Sequence, residues 1–233
     1  MFQFKTFREL YYILLFCLTD DEQGDLFAVA PRDNATIEAL NWGFQLDDPY
    51  SNMLEDNPRV DYNYANALRE YTLHGGQNIE QILKLKSNVD RFVYDTNFPN
   101  QGVNYGERIS QQLPRVMELL AKDNDTRRGV ITILRPEDSF ISHVQTSLEF
   151  PCCETIQLLI RGGKLHMIVN MRSQNVYTIL PYDVYNFTSL QIMIAKKMRL
   201  EVGKYYHNMK SAHIYTNEIS QVLNFLKQNQ HGE

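Results

Sequence analysis

The chain is poor in the features that would place it outside a reducing compartment, in a membrane or along a nucleic acid. Its 233 residues include only three cysteines, and two of them are adjacent, which makes no disulfide framework. No secretory leader with a charged start and a cleavage site precedes the first periodic segment, so a cytoplasmic protein is expected. Long apolar runs are missing too. The most hydrophobic early stretch, residues 10–18, is about half the ~20 residues needed to cross a bilayer and reads as a buried helix. A surplus of positive charge is also absent. The net charge of -5 argues against a general nucleic-acid binder, so any phosphate must be gripped locally. There is a single tryptophan, no internal repeat, no low-complexity segment, and no metal site is expected. What remains is 43% hydrophobic and 12% aromatic, enough for one sizeable core and one α/β domain over residues 1–233.

Along the chain, Phe4, Phe7, Leu10, Tyr11, Leu14 and Leu15 recur at helical spacing, and the acidic stretch with Gly24 ends that helix. Residues 26–46 favour strands, interrupted by turn chemistry at 31–34. A polar loop over 47–60 leads to a helix over 64–73, stopped by Gly75 and Gly76. A second helix is expected over 79–86. Apolar residues at Ile109, Leu113, Val116, Leu119 and Leu120 mark a further helix, with a start or bend at Pro114. Residues 130–134 read as a strand. Residues 154–160 and 164–171 read as two strands joined by a Gly-Gly hairpin. Phe187, Leu190, Met193, Ile194 and Met198 define the buried face of a helix ended near Gly203. A short strand over 204–209 and a terminal amphipathic helix complete the chain.

The stretch from 150 to 215 concentrates the chemistry. It runs Phe-Pro-Cys-Cys-Glu, a hairpin, Met-Arg-Ser-Gln-Asn, Leu-Pro-Tyr-Asp, a helix, and Ala-His-Ile-Tyr. The hairpin brings Cys152 and Arg172 together from its two ends. A cation beside a thiol favours the thiolate nucleophile. Cys153 reads as a buried, inert neighbour. His213 and Tyr215, two apart, share a face if their segment is extended.

This order of motifs resembles the thymidylate synthase family, which includes the deoxycytidylate hydroxymethylases. The resemblance is specific over about residues 100–220. It implies a mixed β-sheet packed with helices, with one sheet face at a homodimer interface and active sites shared across it. By resemblance Cys152 is the nucleophile. Arg172 and Ser173 grip phosphate, while Arg127 and Arg128, in a turn similar to the family's Asp-Pro-x-Ser-Arg-Arg, reach the partner's phosphate. Arg32 stands near the family's phosphate loop, although the glycine-rich pattern is missing and an ordinary turn arginine is the alternative. His213 and Tyr215 bind the sugar hydroxyl. Tyr105, in the Tyr-Gly that opens a helix, joins the catalytic set. The family's essential glutamate falls on Leu68 if no gap is allowed, and on Glu70 if two residues are removed at the helix end. Glu70 is preferred because the chemistry needs a carboxylate.

Asp183 is the most informative departure. Thymidylate synthases have an asparagine two residues after this proline, where it meets N3-H and O4 of uracil. An ionised carboxylate only accepts hydrogen bonds. Cytosine offers its 4-amino group and, when protonated, N3-H; uracil's O4 would lose its donor, a mismatch of about 1 to 3 kcal/mol. The expected substrate is therefore dCMP, with dUMP the alternative. Asn175 replaces an aspartate that meets the pterin ring, Phe92 and Tyr94 stand where tryptophans wall the folate, and the residues after Glu218 are too few for the family's closing tail. The resemblance thus implies a dCMP hydroxymethylase using 5,10-methylenetetrahydrofolate, of a kind phages make in the host cytoplasm for DNA modification. A dCMP C5-methyltransferase, a divergent thymidylate synthase and a non-catalytic nucleotide-binding homologue are the rivals.

Overall fold

The computed structural model describes residues 1–20, 24–54, 57, 59–76, 80–85, 105–138 and 150–229. Phe92 and Tyr94 lie outside the described residues. The architecture is mixed α/β, as expected: a mixed sheet with helices against one face. Its strands are β1 (Phe2–Phe4), β2 (Phe27–Val29), β3 (Thr36–Leu46), β4 (Val130–Thr132), β5 (Cys153–Arg161), β6 (Lys164–Met171), β7 (Gln174–Asn175) and β8 (Glu201–Tyr215). The helices are α1 (Phe7–Thr19), α2 (Tyr62–Leu73), α3 (Glu80–Leu85), α4 (Tyr105–Lys122), α5 (Leu180–Met198) and α6 (Ile219–Asn229). The sheet order is β1-β3-β8-β6-β5-β4, with β2 on β3 and β7 on β8. β8 is parallel to β6 and antiparallel to β3.

Alternation sets the layers. Leu165, Met167, Val169 and Met171 of β6 and Ile156, Leu158 and Ile160 of β5 point into the core, while Leu159, Ile168 and Tyr206 on the other face stay half-buried. Helix α5 covers the inner face and is buried almost all round its first half, from Leu180 to Thr188. Helix α4 docks on the end of α2 through Gly106, where a Cβ would lie 2.6 Å from the Gly76 nitrogen and 2.9 Å from the Tyr71 carbonyl. No helix among the described residues is long and apolar enough to cross a membrane.

Four expectations change. Phe4 belongs to β1, because Thr6 starts α1 with a reciprocal capping box to Glu9. α4 begins at Tyr105 and runs through Pro114, so it does not start at that proline. α5 starts at Leu180, with Pro181 in its first turn, where its missing N–H leaves no helical bond unmade. It ends at Arg199, whose left-handed φ of 58° closes the cap, and Gly203 lies instead in β8. The short strand is in fact the 15-residue β8, which carries His213 and Tyr215.

Candidate active site

The β5–β6 hairpin closes the site at its open end. Pro151 is buried, Cys152 is half-buried just before β5, and a bulge separates Cys153 from Thr155. Arg172, just after β6, turns back. Its backbone N–H donates to the Cys152 carbonyl at 2.8 Å, its Nε donates to the Pro151 carbonyl at 2.9 Å, and a third bond goes to the Phe150 carbonyl. The guanidinium lies 4.8 Å from the centre of the Phe150 ring and 3.6 Å from the Cys152 sulfur. A cation fixed there stabilises negative charge on that sulfur.

Tyr105 holds the same turn from the other side. Its hydroxyl oxygen accepts from the backbone N–H groups of both Cys152 and Cys153 at 3.1 Å, and its ring stacks on Phe187 of α5. Thus the first residue of α4 fixes the backbone of Cys152. Cys153 points into the core, and burial pushes its thiol well up, with the nearby Asp183 charge adding to the effect. It sits as an apolar filler beside the reactive turn.

β7 carries the run onward, pairing Gln174 with Ala212 and Asn175 with His213. The rings of His213 and Tyr215 meet edge to face at 5.6 Å. Burial lowers the His213 pKa, against raising contributions from the Ser211 backbone and the Glu38 and Glu218 charges. Ser173 is half-buried.

Asp183 is in the first turn of α5 and buried. Burial raises its pKa to about 7, against a lowering hydrogen bond from Gln174. Gln174 Nε2 donates to Asp183 Oδ2 at 2.8 Å. Gln174 Oε1 in turn lies 3.1 Å from His207 Nε2, and His207 Nδ1 lies 2.6 Å from the Tyr205 hydroxyl. Gln174, His207 and Tyr205 were not foreseen. The available signal was two polar side chains, two apart, at core-facing positions of a strand.

Other candidates lie elsewhere. Glu70 is exposed, and its carboxylate pairs with Arg69 at 2.7 Å and with His74 at 3.4 Å; Leu68 packs with Tyr64, Tyr71 and Tyr182. Arg127 and Arg128 are exposed in a turn pinned to the far part of β5. The Arg127 carbonyl accepts from Gln157 Nε2 at 2.9 Å, and Gly129 packs under the Leu158 carbonyl. On its own chain this pair does not join Arg172. Arg32 is exposed in a 3-10 turn (Pro31–Asp33) with φ 52°, followed by Asp33 with φ 62°. Two consecutive non-glycine residues in the left-handed region are strained backbone.

Asn175 does not fit the role of a paired acceptor for a pterin. Its Oδ1 accepts from the Thr178 backbone at 2.7 Å and its Nδ2 donates to Glu218 at 3.0 Å, so the amide closes the β7–α5 turn onto Glu218. Among the described residues no cluster of metal-ligating side chains occurs.

A thiol held beside a fixed guanidinium, with a buried carboxyl at Asp183, is an arrangement that favours sulfur as a nucleophile. The chain belongs to the thymidylate synthase family, whose model matches residues 34–233. Members of that family transfer one-carbon units to C5 of a pyrimidine nucleotide, take the carbon from methylenetetrahydrofolate, and typically act as dimers. Membership makes this chain a transferase of that class.

Proposed function

We propose that the chain is a deoxycytidylate hydroxymethylase, and the observation that carries this reading is Asp183. It is a buried carboxyl at the position where uracil readers have an amide. Its only hydrogen-bond donor among the described residues is Gln174, so Oδ1 is left to face the base. In the acid form, accessible with a pKa of about 7, it donates to N3 of neutral cytosine and accepts from the 4-amino group. In the ionised form it accepts from both when N3 is protonated. Uracil cannot satisfy the ionised form, since its O4 carries no hydrogen, and it meets the acid form only when the proton is turned from N3 to O4.

The chain's own residues then do the following. Cys152 sulfur, stabilised as thiolate by Arg172, adds to C6 of the ring, and the displaced electron pair moves to C5, where the new carbon is joined. The carbon would come from methylenetetrahydrofolate, which would leave as tetrahydrofolate; loss of the C5 proton, addition of water to the new carbon and expulsion of the sulfur then restore the ring and the thiolate. Arg172 and Ser173 hold the phosphate, guanidinium planes giving bidentate contacts, and His213 with Tyr215 holds the sugar hydroxyl. Hydroxymethyl is preferred over methyl because no tryptophan is available to wall the pocket. The single one, Trp42, packs edge to face on Phe2 at 5.6 Å, which favours water as the oxygen source.

A two-fold dimer through the half-buried sheet face would bring Arg127 and Arg128 to the partner's phosphate. Their exposure, and the lack of any side-chain bond to the described residues of their own chain, support that assignment. The test is direct. The protein is incubated with dCMP or dUMP and methylenetetrahydrofolate, and product mass and dihydrofolate are read. A hydroxymethyl product from dCMP without dihydrofolate is expected; a methyl product with dihydrofolate would make it a methyltransferase, and preference for dUMP would overturn the base assignment. Asp183→Asn should move the ratio of kcat/KM toward dUMP by roughly 30-fold to 1000-fold.

A further inference from the structure

The buried side of Asp183 is wired to a second layer that touches neither sulfur nor phosphate. Its bonds have one consistent polarity. Gln174 presents its NH2 to Asp183 Oδ2, so its carbonyl oxygen faces His207, and His207 must carry its proton on Nε2 to donate there. His207 Nδ1 is then an acceptor, and the Tyr205 hydroxyl donates to it. The ring of His207 is stacked on Phe44 at 5.1 Å with planes 5° apart, which fixes its rotation. All four polar side chains are buried: Asp183 8%, Gln174 1%, and His207 and Tyr205 0% exposed. None can exchange its partner for water.

We propose that Tyr205, His207 and Gln174 form a one-way hydrogen-bond relay that positions Asp183 and thereby sets the preference for cytosine over uracil. This rests on the reading of Asp183 as the base reader. The relay has a specific consequence. A glutamine amide alone could rotate to offer Asp183 either a donor or an acceptor. With an acceptor facing it, the carboxyl would have to keep its proton on Oδ2, and Oδ1 would become a carbonyl that cannot donate to N3. By holding the Gln174 donor against Oδ2, His207 directs any proton on the carboxyl to Oδ1, the atom left for the base. Tyr205 secures the tautomer of His207 that makes this possible.

The groups that face Asp183 do not compete for charge near neutral pH. From β5 comes Cys153, whose thiol is pushed well up by burial. From β8 come Tyr205, pushed well up, and His207, held neutral down to about 3 by burial. From β7 comes the uncharged Gln174. Asp183 is thus the group of this cluster that changes charge between pH 4 and 9. These three side chains act on the substrate only through Asp183 and are positioning residues.

His207→Phe tests the relay, because a phenyl ring can keep the stack on Phe44 while losing both nitrogens. The ratio of kcat/KM for dCMP over dUMP should fall about tenfold, the worth of one buried hydrogen bond, and the pH profile on dCMP should shift. His207→Gln should restore most of the ratio, since its amide can donate to Gln174 and accept from Tyr205. A packing role alone would lower both substrates equally and leave the ratio and the profile unmoved, which would overturn the relay. If His207→Phe does not fold, Tyr205→Phe removes one oxygen and should shift the ratio in the same direction by a smaller factor; an unchanged ratio there overturns it as well. A wild-type protein with no preference for dCMP would instead overturn the base assignment beneath it.

Discussion

Asp183→Asn should change how stability depends on pH, and that effect can be measured without any substrate. Burial raises the folded-state pKa of Asp183 to about 7, well above the ~4 of an aspartate in an unfolded chain. For an acid with a raised folded pKa the sign runs as follows. Below pH ~4 both states hold the proton and the group contributes nothing. Between ~4 and ~7 the unfolded chain ionises while the folded one does not, so stability falls as pH rises. Above ~7 the loss is complete and constant. At about 1.4 kcal/mol per unit the loss approaches 4 kcal/mol, and relaxation of the pocket brings the expectation to about 2–4 kcal/mol. An asparagine keeps the Gln174 bond, because its carbonyl accepts the same N–H, but has no charge to desolvate. Urea unfolding at pH 5 and pH 8 provides the assay. Because pH 5 already lies above the unfolded pKa, the mutant should gain about 1–3 kcal/mol on wild type between the two. His207 and His213, whose folded pKa values are depressed, have the opposite sign: they stabilise above ~6.5 and lose this as pH falls. They are common to both proteins and cancel in the difference. A mutant-minus-wild-type difference equal at both pH values, within ~0.5 kcal/mol, would refute the buried, proton-holding carboxyl.

Cys152→Ser should abolish turnover and leave nucleotide affinity nearly intact, whereas Cys153→Ser should keep turnover and lose about 1–2 kcal/mol of stability for a hydroxyl buried in the core; turnover assays and dCMP titration with each variant reverse the assignment if the losses exchange places. An Arg127→Ala/Arg128→Ala protein and a Cys152→Ser protein, each inactive alone, should regain activity when their subunits are mixed, and no recovery after confirmed exchange would count against shared sites. Arg32→Gly should raise stability by about 1 kcal/mol through relief of its left-handed backbone while weakening dCMP binding; unchanged affinity would make Arg32 an ordinary turn residue.

The readable parts of the chain were those where a local pattern had a single physical cause. The β5–β6 hairpin has a Gly-Gly turn and two alternating strands, and its closure predicts that Cys152 and Arg172 meet, as they do at 3.6 Å. The start of α5 was hidden for the opposite reason. Residues from Leu180 to Thr188 are nearly all buried, so no polar face produces a helical period, and Pro181 reads as a loop although the first turn accepts it. The length of β8 was hidden because its inward positions switch from Tyr205, His207 and Met209 to Ala212 and Ile214, which breaks the alternation after Met209. The capping box of Thr6 and Glu9 was present in the sequence and would have separated β1 from α1. Gln174 could not be read at all, since its role depends on β7, two residues long, lying against β8.

That short strand explains how one segment serves two kinds of chemistry. Gln174 and Asn175 form an extended pair, so their side chains point to opposite sides. Arg172 turns to the sulfur and Gln174 to the base reader, while Asn175 on the other side closes the turn onto Glu218 and Thr178. A slip of one residue in this pairing would leave Asn175 in place of Gln174 beside Asp183. What prevents the slip is the backbone pairing of Gln174 with Ala212 and of Asn175 with His213, together with the Val176 N–H donated to the His213 carbonyl at 2.9 Å. The same strand, β8, supplies His207 and Tyr205 to the base side and His213 and Tyr215 to the sugar side. The proposed nucleophile, sugar contact and base reader are therefore held in register by one strand's hydrogen bonds, so a substitution that shifts β8 should change catalysis and selectivity together.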